Sequence, residues 1–199
     1  MACSIPFLKL PTGILLDTLG PDPVADITHT TGIWALNLIL ATLAITPLRQ
    51  LTGWHWLIRW RRNIALLGFF YASLHLLSYL LFEQSFDFAE IGQDIFRRPY
   101  IAAGFLAFLL MVPLATTSSN AMIRRMGGRN WKALHRLIYP AGIAAVFHYF
   151  WLVKRDVTIP SYYALILLAL LFARLPKRAA HLPRKPTVCP TATLNHWKK

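Results

Sequence analysis

Five stretches of this chain run without Asp, Glu, Lys or Arg for the length of a bilayer-crossing helix, and this leaves few folds open. A spanning helix needs roughly 20 mostly apolar residues, with about 17 to 25 allowed. The stretches are Ile27 to Leu48, Asn63 to Phe82, Pro99 to Ile123, Leu137 to Val153 and Val157 to Ala173. The last two are short and are expected to borrow flanking residues whose charged heads snorkel. With 56% hydrophobic and 15% charged residues in a chain of 199, there is more apolar surface than one soluble core of that size needs. The expected fold class is therefore an all-α integral membrane helical bundle.

An earlier stretch, Ile5 to Gly20, is interrupted by Lys9, Pro11 and Asp17. It reads as a partial N-terminal span or an interfacial segment. It lacks the basic start and small-residue cleavage site of a signal peptide. The expected organisation is residues 1–20 as that partial segment, 21–175 as the transmembrane domain, and 176–199 as a basic, Pro-rich tail.

Charge orients the spans. The segments Arg49 to Asn63, Arg124 to Arg136 and Arg174 onward hold sixteen of the 21 basic residues and no acid. The intervening segments hold all 8 acids: Asp17, Asp22, Asp26, Glu83, Asp87, Glu90, Asp94 and Asp156. By the positive-inside rule the basic connections and the C-terminus are expected in the cytoplasm, with the acidic loops outside. The net charge of +13 thus reflects topology, and because the basic residues flank lipid spans, no nucleic-acid partner is expected. Cys3 and Cys189 fall on opposite sides and cannot plausibly pair, and no Cys-x-x-Cys-His exists to attach a c-type haem. No G-x-G-x-x-G follows a strand, and Gly127-Gly128 reads as a turn. Any electron donor must be a separate molecule.

Histidine is costly in lipid and points first to a metal, a haem or a proton path. His75 lies 12 residues past Asn63, roughly 18 Å along a helix axis, and His148 lies 14 residues past Leu134, roughly 21 Å. Both helices enter from the cytoplasmic side, so the two imidazoles share a level in the outer half of the bilayer, as two ligands of one haem iron would. His135 lies roughly 20 Å below His148, at the level of a second, inner haem. Opposite it, 14 residues before His75 and on nearly the same helical face, stands Arg61. An asymmetric pair of sites follows: an outer six-coordinate iron, and an inner one on His135 with a weaker, absent or non-histidine second ligand. On one straight helix His135 and His148 would differ by about 140° in azimuth, unless Pro140 kinks it.

The runs GPDPVADITHTTG, RWRRNIALLGFFYASLHLLSY, RRPYIAAG, LATTSSNAMIRRMGGRNWKALHRLIY and FHYFWLVK resemble the ferric-reductase-like transmembrane family, specifically the haem-binding membrane subunits of methionine sulfoxide reductase systems. The resemblance covers about Gly20 to Arg178. The N-terminal region is shorter than the six-span family pattern, and the tail from Pro176 matches nothing in it. What the resemblance implies is a multi-pass protein of the bacterial inner membrane that carries electrons through haem b. They would pass from the quinone pool or a flavin reductase to a periplasmic, MsrP-like molybdopterin reductase that repairs methionine sulfoxide. On this view the chain itself has no catalytic residue. The matching positions are His75 and His148 for one haem iron and His135, with Arg61, for the other. The family also implies FMN, with no stretch marking its place.

Other readings stay open from the residues alone. Histidines in a membrane also serve proton or metal transporters, although no acid lies inside the five stretches to form the usual relay. They can also simply hydrogen-bond helices in an assembly partner, and a stand-alone ferric-reductase-like cytochrome b is a further alternative. His29 reads equally as a helix cap or loop-packing residue and as a quinone or partner contact. His55, among Trp54, Trp56 and Trp60, reads as interfacial anchoring. His181 and His196 fall in a tail expected to be disordered. Arg61, Arg62, Arg97, Arg98 and Arg124 are candidate partners of haem propionates, because the guanidinium fork matches a carboxylate.

Overall fold

The computed structural model of the chain describes residues 22–153 and 156–174. The expected N-terminal segment and the tail, with His181 and His196, lie outside the described residues.

Every regular element among the described residues is helical. Helix α1 (Pro23–Thr52) starts where Asp22 accepts a hydrogen bond from the Ala25 amide and Pro23 presets the first turn; it ends at Gly53 in the left-handed conformation. Helix α2 (Leu57–Ser78) continues as a π-helical turn over Tyr79–Glu83. A short α3 (Phe88–Arg97), capped by Asp87, leads into α4 (Pro99–Thr116). Two seven-residue helices of about two turns follow, α5 (Asn120–Met126) and α6 (Gly128–Leu134), separated at Gly127 with φ 77°. A 3₁₀ turn over His135–Leu137 then opens α7 (Ile138–Leu152), and α8 (Thr158–Phe172) completes the described bundle.

Helices α1, α2 and α4 are long and apolar enough to cross a membrane, and α7 and α8 are 15 residues each. The exposed side chains are those of a lipid-facing surface: Leu109 and Leu165 are each 61% exposed and Phe172 69%. With lipid on the outside there is little hydrophobic drive between helices, so close packing of small residues and polar links take over. Gly68 lets α2 approach Leu38 of α1, and Thr28 Oγ1 donates to Ser78 Oγ at 3.0 Å between the same helices. The core proper is formed by α1, α4, α7 and α8 through Leu36, Leu43, Met111, Ala141 and Leu167.

Two boundaries differ from expectation. The uncharged stretch from Pro99 to Ile123 is not one helix: α4 ends at Thr116. Pro113 cannot donate to the preceding turn, and Thr116, Thr117 and Ser118 turn their hydroxyls back onto carbonyls of residues 112 to 114, after which Ser119 caps α5. Absence of charge marked the stretch but could not mark this break. Nor is the segment from His135 to His148 one straight helix, because the 3₁₀ turn precedes Pro140. The azimuth of about 140° calculated for an uninterrupted helix therefore does not apply.

A latch closes the basic-loop end. Pro47 has no N–H for the carbonyl of Leu43 four residues earlier; the Arg174 guanidinium donates to that carbonyl instead, and to the Tyr139 hydroxyl at 2.9 Å. One side chain past α8 thus joins α1 and α7.

Candidate functional site

The bundle encloses a cavity towards each end. The one nearer the acidic loops, of about 210 Å³, lies between α1, α2, α4 and α7 and is largely apolar. The one nearer the basic loops, of about 570 Å³, is lined by α2, α4, α7 and the α5–α6 segment. Met111 lines both cavities, and the stacked rings of Phe69 and Phe108, 5.5 Å apart, place one ring on each side.

His75 and His148 meet on the wall of the acidic-side cavity. Their ring centroids are 6.0 Å apart and their planes are inclined by 72°. Each ring is held in the same way. His75 Nδ1–H donates to the carbonyl of Thr28 at 2.9 Å, and His148 Nδ1–H donates to the carbonyl of Tyr100 at 2.7 Å. A carbonyl can only accept, so the proton sits on Nδ1 and Nε2 carries the lone pair. Backbone hydrogen bonds of this kind orient metal-ligating histidines and make them more basic. The His75 backbone is anchored too, since Ser78 Oγ donates to the His75 carbonyl at 2.8 Å while accepting from Thr28.

His135 stands in the basic-side cavity. Its ring sits edge-on to Trp131 at 3.9 Å between centroids, and the Trp131 indole N–H donates to the Thr117 carbonyl at 2.9 Å, at the end of α4. Nε2 of His135 is buried and has no hydrogen-bond partner among the described residues. Burial, and then the nearby Arg61 guanidinium, push the His135 imidazole below its usual range, which keeps it neutral with a lone pair to offer. Arg61 lines the same cavity, beside Arg62, Lys132 and Arg136, with no carboxylate on the wall among the described residues. Arg97, Arg98 and Arg124 line neither cavity, and Arg98 pairs instead with Asp94 at 3.4 Å.

The remaining histidines separate cleanly. His29 is not a cap: it lies inside α1, whose cap is Asp22, and its exposed ring borders the acidic-side cavity 6.5 Å from Tyr149. His55 is exposed in the connection where Trp54 and Trp56 stack.

Among the described residues no three His, Cys, Asp or Glu side chains gather where they could hold a bare metal ion. A metal here would need most of its ligands from elsewhere. Two protein nitrogens with the rest supplied by a macrocycle is the haem pattern. At about 2.0–2.1 Å per metal–imidazole bond, two rings that would share one metal through facing nitrogens need centroids a little over 6 Å apart. The His75–His148 spacing of 6.0 Å fits.

Comparison with known proteins agrees with this chemistry. The profile of the ferric reductase like transmembrane component matches residues 31–146. The protein-methionine-sulfoxide reductase heme-binding subunit MsrQ of Xanthomonas campestris pv. campestris is 56% identical over 162 residues, 81% of this chain and 74% of the relative. Its counterparts in Azospira oryzae and Ralstonia nicotianae are each 48% identical, over 87% and 85% of this chain and 75% and 79% of theirs. The chain belongs to the MsrQ family. It is accordingly a multi-pass membrane protein of the ferric-reductase-like type. The profile match takes in Gly32, Arg61, His75, Gly104 and His135 and stops two residues before His148. No solved structure matches the chain.

Reading the sequence missed the carbonyls of Thr28 and Tyr100, the glycines beside them, Trp131 and Arg174. Gly32 and Gly104 each follow the accepting residue by four positions, a pattern that becomes visible only once the accepting carbonyls are known.

Proposed function

We propose that this MsrQ-family chain is a haem b electron conduit across the bacterial inner membrane, with His75 and His148 as the ligands of an outer haem iron and His135 as the ligand of an inner one. The observation that carries this reading is the pair of imidazoles at 6.0 Å, both with Nδ1 spent on a backbone carbonyl and Nε2 left free. Haem bound at these positions supplies reversible one-electron chemistry at iron.

The chain's own residues do the rest. The carbonyls of Thr28 and Tyr100 fix both ring orientations, so the two imidazoles would need little movement to hold the group. The apolar wall of the outer cavity excludes water. At the inner cavity Trp131 steadies His135, while Arg61 on the same wall is a cation suited to pairing with a haem propionate. Phe69, Phe108 and Met111 fill the space between the cavities with apolar and polarisable groups, giving a short, dry path.

The topology belongs to the same proposal. Five spans with the basic connections and C-terminus in the cytoplasm place His135 near the donor side and the histidine pair near the periplasm. The donor would be quinol or a cytosolic flavin reductase, and the acceptor a periplasmic molybdopterin reductase of the MsrP kind. Methionine sulfoxide reduction then takes place on that partner.

A second reading of the inner cavity is favoured by its four cationic side chains: they also suit the phosphate of FMN. Absorption spectroscopy with haem quantification and flavin extraction decides both questions. The expected result is an intense Soret band that shifts on reduction, lost in the same spectral component from His75→Ala and His148→Ala. A colourless, folded protein sinks the conduit. Flavin released in place of a second haem reassigns the inner cavity.

A further inference from the structure

We propose that Gly32 and Gly104 are positioning residues: with the carbonyl four residues before it, each forms a cradle that fixes the plane of one imidazole, and together the two cradles set the crossed orientation of the His75 and His148 rings. The inference rests on the two-histidine haem reading and goes beyond it, since it assigns the geometry of the ligands to residues that touch no metal.

The same arrangement occurs twice, on unrelated stretches of sequence. On α1, Thr28 accepts the Nδ1 proton of His75 and Gly32 lies one turn on; on α4, Tyr100 accepts that of His148 and Gly104 lies one turn on. Residues four apart lie one above the other on a helix face. Each ring therefore spans a carbonyl and a bare Cα on a single face. A Cβ on Gly32 would sit 3.0 Å from both Nδ1 and Cε1 of His75. On Gly104 it would sit 2.9 Å from Nδ1 and 3.1 Å from Cε1 of His148. Either is tighter than ordinary van der Waals contact. The obstructing atoms are the ring itself, held by its hydrogen bond, rather than the loose end of a flexible chain. Alanine must therefore rotate or displace the imidazole and stretch the Nδ1 bond. Glycine in a helix interior is less favourable than alanine, so two glycines at matching ring contacts need a reason beyond helix formation, and clearance for the ring supplies it.

Ring orientation has a direct readout. Two axial imidazoles with nearly perpendicular planes give ferric low-spin haem a strongly anisotropic paramagnetic resonance signal, whereas parallel planes give a rhombic one. The observed 72° predicts the anisotropic form. Purified full-length protein should show it. Gly104→Ala should convert most of that signal to the rhombic or high-spin form with a shifted midpoint potential; Gly32→Ala, with the looser contact, should convert a smaller fraction. Gly68→Ala, which crowds Leu38 at 3.2 Å, and Gly142→Ala, whose nearest neighbour is 3.5 Å away, test packing without touching either histidine and should keep the parent signal. If Gly104→Ala does not accumulate folded, Gly32→Ala decides alone. Parent-like resonance and potential in the Gly32 or Gly104 variants that retain haem overturn the cradle. So does loss of fold in both while Gly68→Ala stays intact, since they would then be packing glycines. Failure of the underlying haem reading looks different: His75→Ala and His148→Ala would leave the low-spin signal in place.

Discussion

The two cavities are built on opposite plans. At the acidic side the protein does the organising: two rings, two backbone acceptors and two glycines converge on a space of about 210 Å³. At the basic side the space is about 570 Å³, with one histidine whose Nε2 has no partner among the described residues, and four cationic side chains. The first resembles a ligand field set in advance; the second resembles a socket that its occupant must complete. Preorganised ligands hold a site rigid across a redox change, whereas a half-built site leaves the occupant's affinity and potential sensitive to the groups around it. A conduit gains from that contrast, since the two stations then need not share one potential.

The sharpest way to break the comparison is at the single histidine. Because no other described residue on the basic-side wall is an imidazole, His135→Ala should remove that station's haem almost completely while leaving the paired-histidine spectrum intact. Haem quantification should fall from about two equivalents to one, judged against protein content. Loss of both haems together would mean that the two cavities are not independent, and the contrast drawn between them would fail.

A smaller, more informative change lies at Arg61. If its role is to face the open side of the His135 site, Arg61→His should supply the missing imidazole and turn that station into a second low-spin, six-coordinate one. Arg61→Gln should keep the haem but weaken its retention by roughly tenfold, the scale of losing one charge-assisted hydrogen bond of about 1.5 kcal/mol. Spectral titration of haem into stripped protein separates the two. Unchanged spectra and unchanged retention in both variants would leave Arg61 as a topology anchor.

How much of this was readable in advance follows from what each feature costs. Charges are excluded from lipid, so their absence marked the apolar stretches from which the bundle's main helices are built, and a fixed rise per residue brought His75 and His148 to one depth before any contact was known. The same rule says nothing about hydroxyls. Thr116, Thr117 and Ser118 are uncharged, so the end of α4 was invisible although they terminate it. Helix α3 was missed in a loop between Glu83 and Arg98, although Asp87 with Glu90 three positions on is a legible start signal. The hydrogen bonds that matter most at the histidine pair run from side chain to backbone across helices. Any residue has a carbonyl, so Thr28 and Tyr100 carry no mark of that task. Arg174 reads in sequence only as the first charge after the last apolar stretch, because its partner, a carbonyl left free by Pro47, exists only in three dimensions.

The least costly intervention tests whether the acidic-side cavity is as rigid as its geometry implies. Ser78 is 4% exposed and joins Thr28, whose carbonyl holds His75, to the His75 carbonyl itself. Ser78→Ala removes both links but neither ligand nor cradle. Only the Thr28 link runs between helices, and such bonds average about 0.6 kcal/mol, so a loss of that order is expected, read as a small drop in the unfolding midpoint in detergent. The ferric spectrum should stay in place, because the Nδ1 bond and Gly32 still define the ring. On the side of His148 the described residues form no such hydroxyl bridge, and its ring is held at Nδ1 by the Tyr100 carbonyl. Ser78→Ala should therefore make the His75 side behave like the His148 side. A large spectral change from this variant would show that the ring depends on the hydroxyl chain rather than on the carbonyl and glycine, and the two halves of the site would then differ in kind.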